Sequence, residues 1–233
     1  MGIEERKNRE KEERRSLILG KAKELVLERG VVALTMQDIA QAAELSKATL
    51  YLYFQSKEAI LMDIMEEAAS AFVEFAQSRI SESSSGLEAL HALWASYLTL
   101  FGESQDVIVL TGIKNYIDPG FPLIADAQNS RMYESTMKMV TLIASVLKRG
   151  VADGSLEKSL DPEQLARTVI MIATSIIDTV AKVPRPQRNA GLIRTEMCRT
   201  FEILLRGLAA EGSDRSLLIL SSGSGPEGRD DRS

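Results

Sequence analysis

The sequence predicts an all-α protein. Apolar residues recur at three- and four-residue steps along most of the chain, the spacing of helices buried on one face. The breaks between these stripes are glycines, prolines and Ser, Thr, Asp or Asn caps, and almost nothing alternates as a strand would. With 233 residues, 45% of them hydrophobic, the chain has ample material for a core and is long enough for one or two domains.

The elements follow in order. A first helix, Arg9 to Arg29, buries Ile18, Ala22, Leu25 and Val26 and stops at Gly30, a good C-terminal cap. The mixed-charge run from Glu4 to Arg15 reads as its frayed, solvated extension. Met36 to Ala43 places Met36, Ile39, Ala40 and Ala43 on one helical face, with Thr35 as cap. Leu45 carries the apolar register into a tight turn, and Ser46, with Thr49 three positions on, opens another helix. Two short helices about a tight turn form a helix-turn-helix, in which the second helix points side chains at base edges in a DNA major groove.

The residue types suit that role. Leu50 and Phe54 give the second helix a narrow packing seam, leaving Lys47, Ala48, Thr49, Tyr51, Leu52 and Tyr53 to face outward or sideways. Tyrosine combines an apolar ring with a hydroxyl that reaches phosphate, although tyrosines at this spacing also suit a core. Ser56 caps the next helix, so Lys57 and free backbone N–H groups stand where a phosphate would sit. Candidate DNA contacts are therefore Thr35, Gln37, Ser46, Lys47, Ala48, Thr49, Tyr51, Leu52, Tyr53 and Lys57.

Residues Ile18 to Ile64 resemble the DNA-binding domain of the TetR family of bacterial transcriptional repressors, whose segment reads T-x-x-x-I-A-x-x-A-G-V-S-x-x-T-L-Y-x-x-F-x-S-K-E-x-L. The match is carried by Gly30, Thr35, Ile39, Ala40, Ala43, Leu45, Ser46, Thr49, Leu50, Tyr51, Phe54, Ser56, Lys57, Glu58 and Leu61. One departure is Glu44, where the family places glycine; at positive φ a non-glycine residue costs about 1 kcal/mol or more. The resemblance implies Tyr51 and Lys47 in base recognition, and Tyr53, Thr35 and Lys57 on phosphates.

Downstream, Lys57 starts a helix of five or six turns through Ile60, Leu61, Ile64, Ala68 and Phe72. A serine-rich break, Ser81 to Gly86, precedes a helix from Leu87 to about Glu103, then a short one over Asp106 to Ile113. Asn115 to Pro122 carries Asp118, Pro119, Gly120 and Pro122, which a helix interior does not tolerate. A long helix is expected from about Ile124 to Lys148, ending at Gly150. Asp161, Pro162 and Gln164 give cap, first-turn proline and N3 glutamine for another, closed by Pro184 and Pro186. The last runs from Asn189 to about Ala210. The predicted domains are 1–56, a three-helix DNA-binding unit; 57–211, a helical ligand-binding and dimerisation unit; and 212–233, a disordered tail.

The last two helices carry wide apolar stripes, and a helix apolar over most of its circumference needs cover on two sides. That predicts a homodimer through Val169, Ala173, Ile176, Ile177, Met197, Phe201, Leu204 and Leu208, an expectation the family resemblance shares; the alternative is an ordinary monomer core. His91, Trp94, Tyr97 and Phe101 form an aromatic stripe which, with Asn115, Tyr116, Met137 and Met171, suits a small-molecule pocket, or simply core.

Other classes find little support. One histidine leaves no basis for a histidine metal cluster or a Ser-His-Asp triad, no phosphate-binding glycine loop is present, and no metal, cofactor or catalytic residue is expected. A single cysteine, Cys198, allows no internal disulfide. No apolar run approaches the ~20 residues of a membrane span and no secretory signal is seen, so a cytoplasmic protein without membrane contact is expected. Residues 1–60 carry 11 basic and 10 acidic side chains against 17 and 23 in the remainder, a mild asymmetry favouring the DNA end. The expected function is a ligand-responsive homodimeric repressor on a palindromic double-stranded operator, released by an apolar or amphipathic effector. A regulator that activates, or that works through a protein partner, is the alternative.

Overall fold

The computed structural model describes residues 2–81, 84–103, 105–117 and 131–220. Regular structure among them is helical apart from an isolated antiparallel bridge between Leu156 and Ala209. The helices are α1 (Ile3–Arg29), α2 (Met36–Ala42), α3 (Lys47–Tyr51), α4 (Lys57–Arg79), α5 (Gly86–Glu103), α6 (Gln105–Thr111), α7 (Lys114–Ile117), α8 (Arg131–Asp153), α9 (Pro162–Lys182) and α10 (Ala190–Leu208).

The first unit closes around Ile18, Ala22, Val26, Ile39, Ala40, Leu50 and Phe54, which meet Ile60, Leu61 and Ile64 from the start of α4. Its α1 begins at Ile3 rather than near Arg9, because exposed i,i+4 pairs, Arg6 with Glu10 and Arg9 with Glu13, extend the helix outward. Gly30 ends α1 at φ 80, where its own N–H reaches the Val26 carbonyl at 2.9 Å. A Cβ on Gly30 would stand 3.1 Å from the Lys182 carbonyl oxygen, so the end of α1 abuts the end of α9.

α4, 23 residues and about 35 Å long, joins the two units. Beyond Ile64 it packs on α5, α6 and α8. α5 crosses α8 closely enough that a Cβ on Gly86 would collide with the Gly150 backbone. Gly150 was expected to stop α8; instead it lies inside the helix, where a Cβ would collide with the Leu156 side chain that packs back on it. The expected start of this helix near Ile124 lies outside the described residues. So do Asp118, Pro119, Gly120 and Pro122 of the stretch expected to be non-helical, although Asn115, Tyr116 and Ile117 belong to α7.

α9 packs on α8 and α6, whereas α10 packs on α5. This corrects the reading of their apolar stripes. Val169, Ala173, Ile177, Met197, Phe201 and Leu208 are buried within one chain, because each stripe covers a neighbour of its own subunit; Ile176 and Leu204 are half-buried. A second correction concerns the tail. Residues 212–220 are not disordered: the Ser213 hydroxyl donates to the Ser155 carbonyl at 2.8 Å, Leu220 N–H to Glu202 at 2.9 Å, and Leu218 and Leu220 are buried. The rest of the expected tail, 221–233, lies outside the described residues.

Candidate nucleic-acid interface and effector cavity

The helix-turn-helix is built by its caps. Thr35 Oγ1 accepts the Asp38 N–H at 3.2 Å while the Asp38 carboxylate accepts the Thr35 N–H at 3.0 Å, a reciprocal box that fixes the start of α2. The Thr35 hydroxyl hydrogen bond, with the backbone bond and Arg29, holds the Asp38 carboxyl below its ordinary value despite some desolvation. The turn is a Schellman motif: Leu45 N–H donates to Ala40 O at 2.8 Å and Glu44 N–H to Gln41 O at 3.1 Å. Glu44 sits at φ 56, the one non-glycine residue at positive φ among those described, as its place in the turn demanded. Ser46 Oγ then accepts the Thr49 N–H at 3.0 Å and starts α3.

α3 is shorter than expected, ending at Tyr51; Leu52 is its cap, and Tyr53 and Phe54 follow in the turn to α4. Only Leu50 of this helix is buried. Ser46, Lys47, Ala48, Tyr51 and Leu52 are exposed, as are Thr35 and Gln37, while Thr49 and Tyr53 are half-buried. Leu52 is 80% exposed, which no packing argument within the chain accounts for. Arg15 supplies a brace that sequence reasoning assigned to a solvated face: its guanidinium lies 4.3 Å from the Phe54 ring centroid and pairs with Asp63. The signal was present, since Arg15, Ile18 and Ala22 share the spacing of α1's buried face.

Lys57 is half-buried. Its Nζ donates to the Tyr116 hydroxyl at 2.7 Å and lies 4.9 Å from that ring's centroid. Tyr116 thus meets the start of α4 rather than the expected pocket.

Helices α4, α5, α6, α8 and α9 surround a cavity of about 60 Å³ walled by Met65, Ala69 and Phe72 of α4, Trp94 and Tyr97 of α5, Thr111 of α6, Thr136, Met139 and Ile143 of α8, and Ile170, Ala173 and Thr174 of α9. Of the expected pocket residues, Trp94 and Tyr97 line it. Phe101, on the same face as Trp94 but about 10 Å further along α5, is buried elsewhere in the core, and His91 Nδ1 bonds the Leu217 carbonyl at 2.8 Å. Met137 borders an outer groove between α4 and α8, Met171 is 40% exposed on α9, and the Asn115 side chain lies outside those described. The α4 wall was not named, though Phe72 belongs to the expected stripe of α4 and Met65 and Ala69 stand beside it.

The cavity's chemistry is uncharged. Burial pushes the Tyr97 phenol far above its ordinary value, keeping it protonated. The buried Trp94 indole N–H has no hydrogen-bond partner among the described residues. A buried donor left unpaired costs about 1–3 kcal/mol, so an acceptor placed there would be strongly favoured.

The sequence pattern of the bacterial regulatory proteins of the tetR family matches residues 18–64. The chain is 30% identical over 203 residues to the HTH-type transcriptional repressor KstR2 of Rhodococcus jostii strain RHA1, covering 84% of this chain and 92% of that protein. It belongs to the TetR family. The chain is therefore an all-α, DNA-binding transcription regulator, and its relatives are regulators rather than enzymes. The fold agrees with solved TetR-family structures. FadR of Bacillus subtilis in complex with stearoyl-CoA aligns with a TM-score of 0.60 at 20% identity, over 82% of this chain and 98% of that one. The ketosteroid regulator KstR2 of Mycobacterium tuberculosis aligns at 0.59 and 20%, over 85% and 96%. No helix among the described residues is long and apolar enough to cross a membrane.

Proposed function

We propose that this TetR-family regulator is a homodimeric repressor whose residues 1–56 hold a two-fold-related operator and whose residues 57–211 release it when an effector fills the cavity. The observation that carries this is the shared helix: α4 begins just past the exposed recognition face and contributes Met65, Ala69 and Phe72 to the cavity wall. A shift imposed at the cavity thus reaches the DNA-binding unit through one continuous rod. The effector is an uncharged, largely apolar body with a hydrogen-bond acceptor for Trp94, since none of the lining groups would neutralise a charge. A ketosteroid body, named for one relative, and the stearoyl chain bound by another fit that chemistry, whereas the charged coenzyme A part would have to stay outside the cavity.

At about 60 Å³ the cavity has room for about two waters, against the roughly 300 Å³ or more of a drug-sized site. An effector must therefore move the walls to enter, and the α4 wall carries that movement toward DNA. The second copy is expected to sit on what remains exposed of α9 and α10, including Met171, Leu192 and Ile203. Trp94, the only tryptophan, reports occupancy. Titrating a ketosteroid and, separately, stearoyl-CoA while following Trp94 emission and binding to the DNA upstream of the gene tests the reading. A probe that changes Trp94 emission at saturation yet leaves DNA affinity untouched would sink it.

A further inference from the structure

Lys57 occupies the first position of α4, directly after its cap Ser56, whose Oγ accepts the Ala59 N–H at 3.2 Å. This places the lysine at the edge of the proposed operator face. Its ammonium is held by one neutral side chain, the Tyr116 phenol, through both the hydroxyl at 2.7 Å and the ring face at 4.9 Å. No carboxylate pairs with Lys57 among the described residues. The distinction matters. A carboxylate would hold the ammonium with a full charge, whereas a phenol and an aromatic face hold it with a dipole and a quadrupole, which a DNA phosphate can outcompete.

Tyr116 is also well placed to be moved. Its N–H donates to the Ile113 carbonyl at 2.9 Å, and Ile113 is fully buried two residues after Thr111, a wall of the cavity. The residue that holds Lys57 is thus borne by the short stretch that closes the effector cavity, while Lys57 itself heads the helix forming another wall.

We propose that Tyr116 is an intramolecular competitor for Lys57, holding its ammonium in the DNA-free protein and surrendering it to a backbone phosphate when the operator binds. This rests on the operator role proposed above for the segment ending at Lys57. In this arrangement the phenol sets a threshold on DNA affinity that does not depend on base sequence, because phosphate contacts carry no sequence information.

The test uses the full chain and two duplexes of equal length, one from the DNA upstream of its own gene and one of unrelated sequence, titrated across salt concentrations. Tyr116→Leu is expected to bind both duplexes roughly three- to tenfold more tightly, with the wild-type salt slope. Tyr116→Phe, which keeps the ring over the ammonium, should show a smaller gain and controls for misfolding. Lys57→Ala should weaken binding to both and lower the salt slope by roughly 0.9, the loss of one phosphate contact. The deciding measurement is the double variant, in which Tyr116→Leu should bring no gain once Lys57 is alanine. A gain that persists without Lys57, an unchanged slope in Lys57→Ala, or weaker binding by folded Tyr116→Phe and Tyr116→Leu would overturn the competition. Absence of salt-dependent binding by the wild type would instead remove the operator reading itself, and this proposal with it.

Discussion

Phe201 and Ile203 lie two residues apart on α10 and separate its buried face from its exposed one. Phe201 is 1% exposed and stacks on Trp94 with ring centroids 4.3 Å apart and planes 10° from parallel. Phe201→Ala removes a buried aromatic side chain, which costs about 3–5 kcal/mol, and the lost stack places it toward the upper end. Against a total stability of about 5–15 kcal/mol that is a third or more, worth roughly 6–20 °C in melting temperature for a chain of this size. Ile203 is 69% exposed and faces away from the core. In a monomer Ile203→Glu should change stability by no more than about 0.5 kcal/mol. If α10 meets a second copy there, the same change buries a carboxylate without a partner and costs about 2–5 kcal/mol of association, a roughly 30-fold or larger rise in the dimer dissociation constant. Thermal unfolding read by Trp94 emission, with sedimentation velocity at micromolar concentration, measures both. The reasoning fails if Phe201→Ala melts like the wild type but dissociates, or if Ile203→Glu leaves the dimer intact.

Three further outcomes are expected. Tyr51→Ala, removing an exposed side chain of α3, should narrow the affinity ratio between upstream and unrelated DNA by about 1–3 kcal/mol; an unchanged ratio would exclude Tyr51 from base recognition. Glu44→Gly should raise the melting temperature by roughly 1–4 °C, since relief of the left-handed strain at φ 56, about 1–2 kcal/mol, outweighs the added freedom of the unfolded chain; a lower melting point would show that the Glu44 side chain matters more than its backbone. The Asp153 carboxylate accepts the Gly86 N–H at 2.7 Å and the Ser155 N–H at 2.9 Å; desolvation pushes its carboxyl upward, but these bonds and Arg149 more than offset it and leave it below the ordinary value. Its contribution should be complete above pH ~4 and disappear as pH falls through the depressed folded value, so wild type and Asp153→Asn should differ in stability at neutral pH and converge in acid. A difference that does not shrink on acidification would contradict this.

What could be read from the sequence was local. The caps Thr35, Ser46, Ser56, Asp161 and Asn189 all function as helix starts, since a cap depends only on a side-chain oxygen and a backbone N–H two or three residues on. The positive φ of Glu44 was signalled by the family resemblance, which places glycine at that position of the turn. What failed was anything requiring knowledge of which neighbour a stripe meets. Phe201 is apolar whether it faces Trp94 or a second subunit, and periodicity is silent on that choice. His91 shows the same limit: its helix position is right, but its partner is the Leu217 carbonyl, 126 residues away in a segment whose glycine and serine content read as disorder. Lys57 and Tyr116 each looked like ligands for something outside the chain, and the structure joins them to each other.

That junction bears on how release can work. A 100-fold loss of operator affinity needs about 2.7 kcal/mol of effector preference for the DNA-incompetent state, and a rigid tilt of α4 alone would have to supply all of it. Two routes leave the cavity, however. One runs along α4 from Met65, Ala69 and Phe72 to Lys57; the other runs from Thr111 through Ile113 to Tyr116. They end on the two atoms of one hydrogen bond, 2.7 Å apart. In the proposed competition, a relative displacement of α4 and α7 would change whether the ammonium is held by the phenol or by DNA. The free energy of that choice adds to any change in the spacing of the recognition helices. Because coupling is reciprocal, operator DNA that claims Lys57 frees Tyr116 and loosens the Thr111 wall, so the DNA-bound protein should hold its effector less tightly by the same factor.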